Sequence, residues 1–172
     1  MTEAATADNL ISDEMRALEG KVLGSRASYP ISASDIRKWA IAVYYPEPPP
    51  EVFIGAGAAG GGAPLRAPEE FSPYAWGTPG AKPKVPDIGA GFLERGQGIT
   101  PPDLKFIVNG GSVVEYGVPM LEGDVITTEN MLQGYTVKQG KRGPLLLTVM
   151  QDRWTNQKGE MVKTTTNTFI RY

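Results

Sequence analysis

Chemistry in this chain must come from a restricted set of side chains. Its 172 residues include no histidine and no cysteine. That excludes an imidazole base, a Ser-His-Asp triad, a thiolate nucleophile, a disulfide and any His- or Cys-ligated metal. Carboxylates, phenols, amines and hydroxyls remain for proton transfer. They meet at Tyr44-Tyr45-Pro46-Glu47, where Glu47 can act as a base and Tyr45 as a proton donor. A helix end packed on a sheet by two aromatic rings accounts for the same residues without chemistry, since a lone carboxylate has no partner. Glu115-Tyr116, ahead of Pro119, is a second candidate, read equally as a cross-strand pair. Asp124 after Gly123 has the chemistry of a turn, and Asp35 that of a helix start. Lys138, Lys141 and Arg142 cluster at a hairpin tip, where they suit a phosphate or plain solvent. Gly55 to Gly62 lacks a following Gly-Lys-Ser/Thr, so it is no phosphate loop. No metal site and no cofactor are expected.

The elements that would position these groups follow from composition and periodicity. Hydrophobic residues make up 41% and charged residues 21%, with a net charge of −2, enough to build a core. No basic run suggests nucleic acid. No stretch approaches the roughly 18 apolar residues of a membrane span, and Met1 to Asn9 lacks the features of a secretory signal. The expected setting is the cytoplasm. A first helix is expected over 8–19 from Ile11, Met15 and Leu18, followed by an extended segment to Tyr29. The spacing of Ile36, Trp39, Ala40 and Val43 predicts a second helix, capped by Ser32 or Ser34 and stopped by Tyr45 ahead of Pro46. Ile41 and Ala42 widen its apolar face, so burial is expected.

From 46 to 102 the texture changes: 12 of the 15 prolines and 11 of the 21 glycines lie there. Phe53, Phe71, Tyr74, Trp76 and Phe92 should pin this long loop to the domain or to a partner. Residues 104–172 read as β, with Gly110-Gly111 separating two extended segments and a strand broken at Gln133-Gly134. Tight turns are expected near Lys138 to Gly143 and Asn156 to Gly159. The expected class is α+β, an antiparallel sheet wrapped around one central helix. Residues 1–18 form an N-terminal helical extension and 19–172 a single domain.

Several steps resemble the MaoC-like dehydratase or (R)-specific enoyl-CoA hydratase family. They are Gly20-Lys21, Tyr29 to Ile31, the helix Ile36 to Val43, the loop Ala67 to Trp76 and Gly110-Gly111. Also matching are Glu115-Tyr116-x-x-Pro119, Gly123-Asp124, Lys141-x-Gly143, Asn156-Gln157-x-Gly159-Glu160 and Phe169 to Tyr172. Within the family the likeness is to the FAS1-like dehydratase N-terminal domain of the non-catalytic-subunit type. The resemblance implies a hot-dog fold and hydration of 2-enoyl thioesters, or the reverse dehydration, in lipid metabolism.

Active members carry a pattern near Gly-Asp-x-Asn-Pro-x-His after the central helix. Laid on Tyr44 to Pro50, it matches only at Pro48; Tyr45 replaces the Asp and Pro50 the His. The resemblance therefore implies a subunit without the catalytic pair that completes an enoyl-CoA hydratase with an active hot-dog partner, or pairs with itself. An acyl-CoA or acyl-carrier-protein thioester, bulky if the lipid or steroid analogy holds, would contact Gly110, Gly111, Glu115, Tyr116 and Trp76. Two alternatives stand beside it: a self-sufficient hydratase using Glu47 or Tyr45, and a non-enzymatic acyl-CoA-binding scaffold. Neither nucleic acid nor a membrane is an expected partner.

Overall fold

The computed structural model describes residues 10–75, 77, 79–80, 87, 89–141 and 143–172. Five strands form one antiparallel sheet in the order β1-β3-β4-β5-β2: β1 Val22–Ala27, β2 Ile107–Tyr116, β3 Thr127–Gly140, β4 Gly143–Thr155 and β5 Met161–Arg171. The expected hairpins join β3 to β4 and β4 to β5. Gly110-Gly111 does not separate two segments, because β2 runs through it with a bulge between Asn109 and Gly111. Gly111 takes φ 143°, and a Cβ on Gly110 would lie 2.8 Å from Ile170 Cγ1, so two glycines meet the backbone's needs there. The expected break at Gln133-Gly134 is likewise a bulge inside β3.

Antiparallel partners project to the same face, so the register stacks side chains into transverse rows. One row is Arg26, Thr128, Trp154, Lys163 and Tyr116; another is Val137, Leu146, Arg171 and Ile107. Both lie on the face that carries the helices. Among the described residues there are four α-helical segments: α1 Asp13–Arg16, α2 Ala33–Tyr44, α3 Glu51–Ile54 and α4 Phe92–Gly96. The part of the expected first helix within the described residues is the single turn α1; of its apolar pattern Met15 is buried, while Ile11 and Leu18 are partly buried.

The second helix, α2, starts as read: Ser32 Oγ accepts from Asp35 N at 3.0 Å. Ile36 and Ala40 are fully buried. Ile36 shares a core cluster with Phe71, Trp154 and Val162, and Trp39 stands edge-on to Phe71 at 5.6 Å. Burial of the helix is narrower than expected. Ile41 is 56% exposed and Val43 57%, because the sheet covers one stripe and nothing among the described residues covers the other.

The long loop is pinned at both ends. Near its start, Arg37 donates to Gly55 O at 2.6 Å and Ala56 O at 3.0 Å. Glu122 Oε2 accepts from Ala58 N at 3.0 Å and Leu65 N at 3.2 Å, and these backbone bonds hold its carboxyl below the usual range. Gly57, at φ 73°, passes so close that a Cβ would meet Glu122. Near its end α4 supplies Glu94, wholly out of water. Glu94 accepts from Arg171 at 2.7 and 2.9 Å and from Tyr135 Oη at 2.9 Å, while Arg171 also donates to Ala90 O.

This clasp gives a stability prediction. Arg171→Met strands a buried carboxylate and should cost about 3–5 kcal/mol in urea unfolding. Arg171→Met with Glu94→Leu should recover much of that loss, since no charge is then left unpaired. A single-variant cost under about 1 kcal/mol would show the clasp to be dispensable.

Candidate functional site

The end of α2 offers no paired acid and base. Tyr44 leans on Phe53 with ring centres 5.9 Å apart, while Tyr45 is 81% exposed and joined to Pro46 by a cis peptide. The two rings therefore do not both pack on the sheet. Glu47 is exposed too, with its backbone N–H bonded to Tyr44 O. Neither Glu47 nor Tyr45 makes a side-chain hydrogen bond among the described residues. Nothing there holds a substrate between a donor and a base.

The candidates on β2 are split apart. Gly110 and Gly111 lie six and five residues before Tyr116, about 16–20 Å at strand rise. Alternation sends Glu115 and Tyr116 to opposite faces. Glu115 accepts from Thr164 Oγ1 at 3.0 Å, in the row that holds the Arg153–Glu129 pair. Tyr116 faces the helices and donates its O–H to Glu70 of the long loop. That carboxylate raises the phenol to about 12, so the ring stays protonated and donating at neutral pH. Trp76 lies outside the described residues, as does Arg142; Lys138 and Lys141 remain at the hairpin tip. Asp124 and Asp35 serve a turn and a helix cap: Asp124 accepts from Leu121 N at 2.8 Å and Asp35 from Ser32 Oγ at 2.8 Å.

Tyr116 is the last residue of an edge strand whose outer backbone has no strand neighbour among the described residues. Val113, at 64% exposure, leads an apolar flank that includes Val108, Val114 and Val118. The other edge of the sheet is polar. A groove of about 420 Å3 runs along Gly24, Arg26, Thr128, Asn130 and Asp152. There Asn130 Nδ2 donates to Asp152 at 2.7 Å, and Arg26 stacks 4.0 Å from the Tyr74 ring centre. Burial pushes the Tyr74 phenol up, and its hydroxyl donates to Ile126 O at 2.9 Å. Among the described residues no cluster of acidic side chains is built to hold a metal.

Residue reading alone missed Glu70 and Lys163 as neighbours of Tyr116. Strand parity held the clue for Lys163: it shares the alternation of Phe169 and Arg171, which both turn inward. Glu70 offered none, since a loop carries no periodicity.

A family model for the FAS1-like dehydratase domain region matches residues 17–165. No curated protein matches the sequence. Among solved structures, the ChsH1-ChsH2 complex from Mycobacterium tuberculosis is similar at TM-score 0.59 and 15% identity, over 92% of this chain and 87% of that one. The C-terminally truncated HadBC (3R-hydroxyacyl-ACP dehydratase) complex from the same organism gives 0.53 and 18%, over 89% and 96%. The R-hydratase PhaJ1 from Pseudomonas aeruginosa gives 0.50 and 14%, over 89% and 81%. The shared architecture is the hot-dog fold. No helix among the described residues is long and apolar enough to cross a membrane.

Removing the carboxylate should free the phenol. In an absorbance titration Tyr116 should ionise near pH 12 in the wild type, and Glu70→Gln should return it toward the ordinary value of about 10. Because the pKa is raised, the phenol–carboxylate bond persists throughout the neutral range and is lost only as pH climbs through that upper value. Identical titrations of the two proteins would show that Glu70 does not govern Tyr116.

Proposed function

The chain belongs to the family of FAS1-like dehydratase domain regions, and on that footing we propose that it is the non-catalytic subunit of a heteromeric enoyl-CoA hydratase or 3-hydroxyacyl-thioester dehydratase. It is read as one hot-dog domain over 19–172 with a docked N-terminal extension. The observation that carries the reading is the end of α2. Where the resembled pattern sets its Asp and His, this chain has an exposed Tyr45 and Pro50. Hydration needs one group to activate water, another to protonate the α-carbon, and a donor for the thioester carbonyl. Proline moves no proton, and a solvated phenol is a poor base at neutral pH. The acid–base pair must then come from a second chain.

The open strand supports such pairing. A free edge flanked by valines is unstable as a permanent surface, and a homologous sheet edge would satisfy its N–H and C=O groups. Two of the similar structures are named as complexes, ChsH1-ChsH2 and HadBC. In this reading Tyr116 faces the acyl thioester from the end of the paired strand, and Gly110 and Gly111 set the strand's bend. The polypeptide acts in the cytoplasm.

Two measurements test it. Purified alone, the chain should not hydrate crotonyl-CoA or longer enoyl-CoAs. Co-expression with an Asp/His-bearing hot-dog chain should yield an active complex, and neither Glu47→Gln nor Tyr45→Phe should alter its rate. Turnover by the isolated chain that either substitution abolishes would overturn the proposal in favour of a self-sufficient site; binding without turnover in both settings would leave a scaffold. Separately, Val113→Lys with Val114→Lys should abolish association in size-exclusion chromatography while leaving the monomer's circular dichroism unchanged. Undiminished association would place the contact elsewhere.

A further inference from the structure

Lys163 stands beside Tyr116 in the row across the sheet, and its ammonium makes no direct ion pair among the described residues. The residue is only 7% exposed, and its Nζ lies 4.2 Å from the centre of the Trp154 ring. That ring face offsets part of the desolvation but carries no formal charge. Among the described residues, no carboxylate lies within ion-pair distance of the ammonium and no atom accepts a hydrogen bond from it. Two carboxylates approach from the loop, and both are engaged elsewhere. Glu69 pairs with Arg66 at 3.6 Å, and Glu70 accepts from Tyr116. Burial pulls the Lys163 amine below its usual range, and the Glu70 charge restores part of the fall.

A cavity of about 30 Å3 is lined by Lys163 together with Arg66, Glu69, Tyr116, Val118 and Met120. It has room for one water-sized group. Its contacts specify the chemistry of that group. A buried cation is stabilised by an opposite charge, not by a neutral dipole alone. An oxygen atom of a carboxylate has the right size and a formal negative charge; a carbonyl oxygen has the size and only a partial charge.

We propose that this cavity is a carboxylate-binding site whose cation is Lys163. The carboxylate is carried either by a small acid or by an acidic side chain of a chain paired along β2, whose terminal residue lines the cavity. Carboxylate binding at Lys163 is independent of hydratase activity, whereas its supply by a partner chain rests on the proposed pairing along β2.

Formate is the probe, titrated into the full-length chain at constant ionic strength against chloride. Formate should raise the thermal midpoint saturably, as any ligand selective for the folded state does, and chloride should not. Lys163→Met keeps the aliphatic stem over Trp154 and should abolish the formate response. In the wild type, the Lys163 side-chain NMR resonance should titrate at higher pH in formate than in chloride. That reading needs no variant, so it decides the question even if Lys163→Met folds poorly. Equal effects of formate and chloride on both readouts would overturn the proposal. So would a formate response that survives intact in Lys163→Met. Repeating the titration on the paired complex identifies the source. Loss of the response there means that the partner's carboxylate already fills the cavity, and its persistence points to a small acid.

Discussion

A carboxylate and a guanidinium, both wholly out of water, hold the returning end of a long proline- and glycine-rich segment to the sheet. Glu94 and Arg171 are 77 residues apart, so closing the chain between them carries a considerable entropic cost. The geometry compensates the burial of the two charges: a fork of two short bonds, a tyrosine hydroxyl on the same carboxylate, and a carbonyl of the loop on the same guanidinium. Such a pair makes a poor source of net stability, because desolvation cancels much of its attraction. Its contribution lies in placement, since shifting α4 along the sheet would part the two buried charges and leave each without the other. With α4 seated, Leu93 and Phe92 complete an apolar cluster with Met150, Leu146 and Phe169.

The sheet thus carries two separate apolar patches on one face. One, around Trp154 and Ile126, is covered by α2 and the aromatic part of the loop; the other, around Leu132 and Leu146, lies beneath α1 and α4. Between them one row turns polar at Asn130, Asp152 and Thr165, and the next, which starts at Leu132 and Met150, turns polar at Asn167 and Ser112. A five-stranded sheet holding a single 12-residue helix cannot dry its whole inner face. The polar rows lie where the cover is thin. Lys163 and Tyr116 stand at the margin of the first patch, continuing the row that Trp154 occupies.

How much of this was legible depends on the range of the interaction. Ser32 as a cap, the stop before Pro46, and the turns after Gly140 and Asn156 are local, and each was readable from its own few residues. Gly110-Gly111 misled because a glycine pair signals both a turn and a bulge, and only the opposing Ile170 distinguishes them. The apolar circumference of α2 overstates its burial: a wide apolar face shows that covering is wanted but not that the same chain supplies it. The Arg37 and Glu122 clamps on the glycine loop were invisible, since neither residue belongs to a pattern. At the candidate site the missing imidazole was plain from composition, whereas the meeting of Glu70, Tyr116 and Lys163 required the ladder register.

The unpaired rim of β2 has a consequence for how the polypeptide must be made. A strand with open amides and a flank of valines is a template for any similar strand, including one from another copy still emerging from the ribosome. Copies left without a covering strand would have only one another to satisfy that rim. Covering that rim, by whatever strand meets it, therefore serves solubility directly, and leaving it open favours self-association.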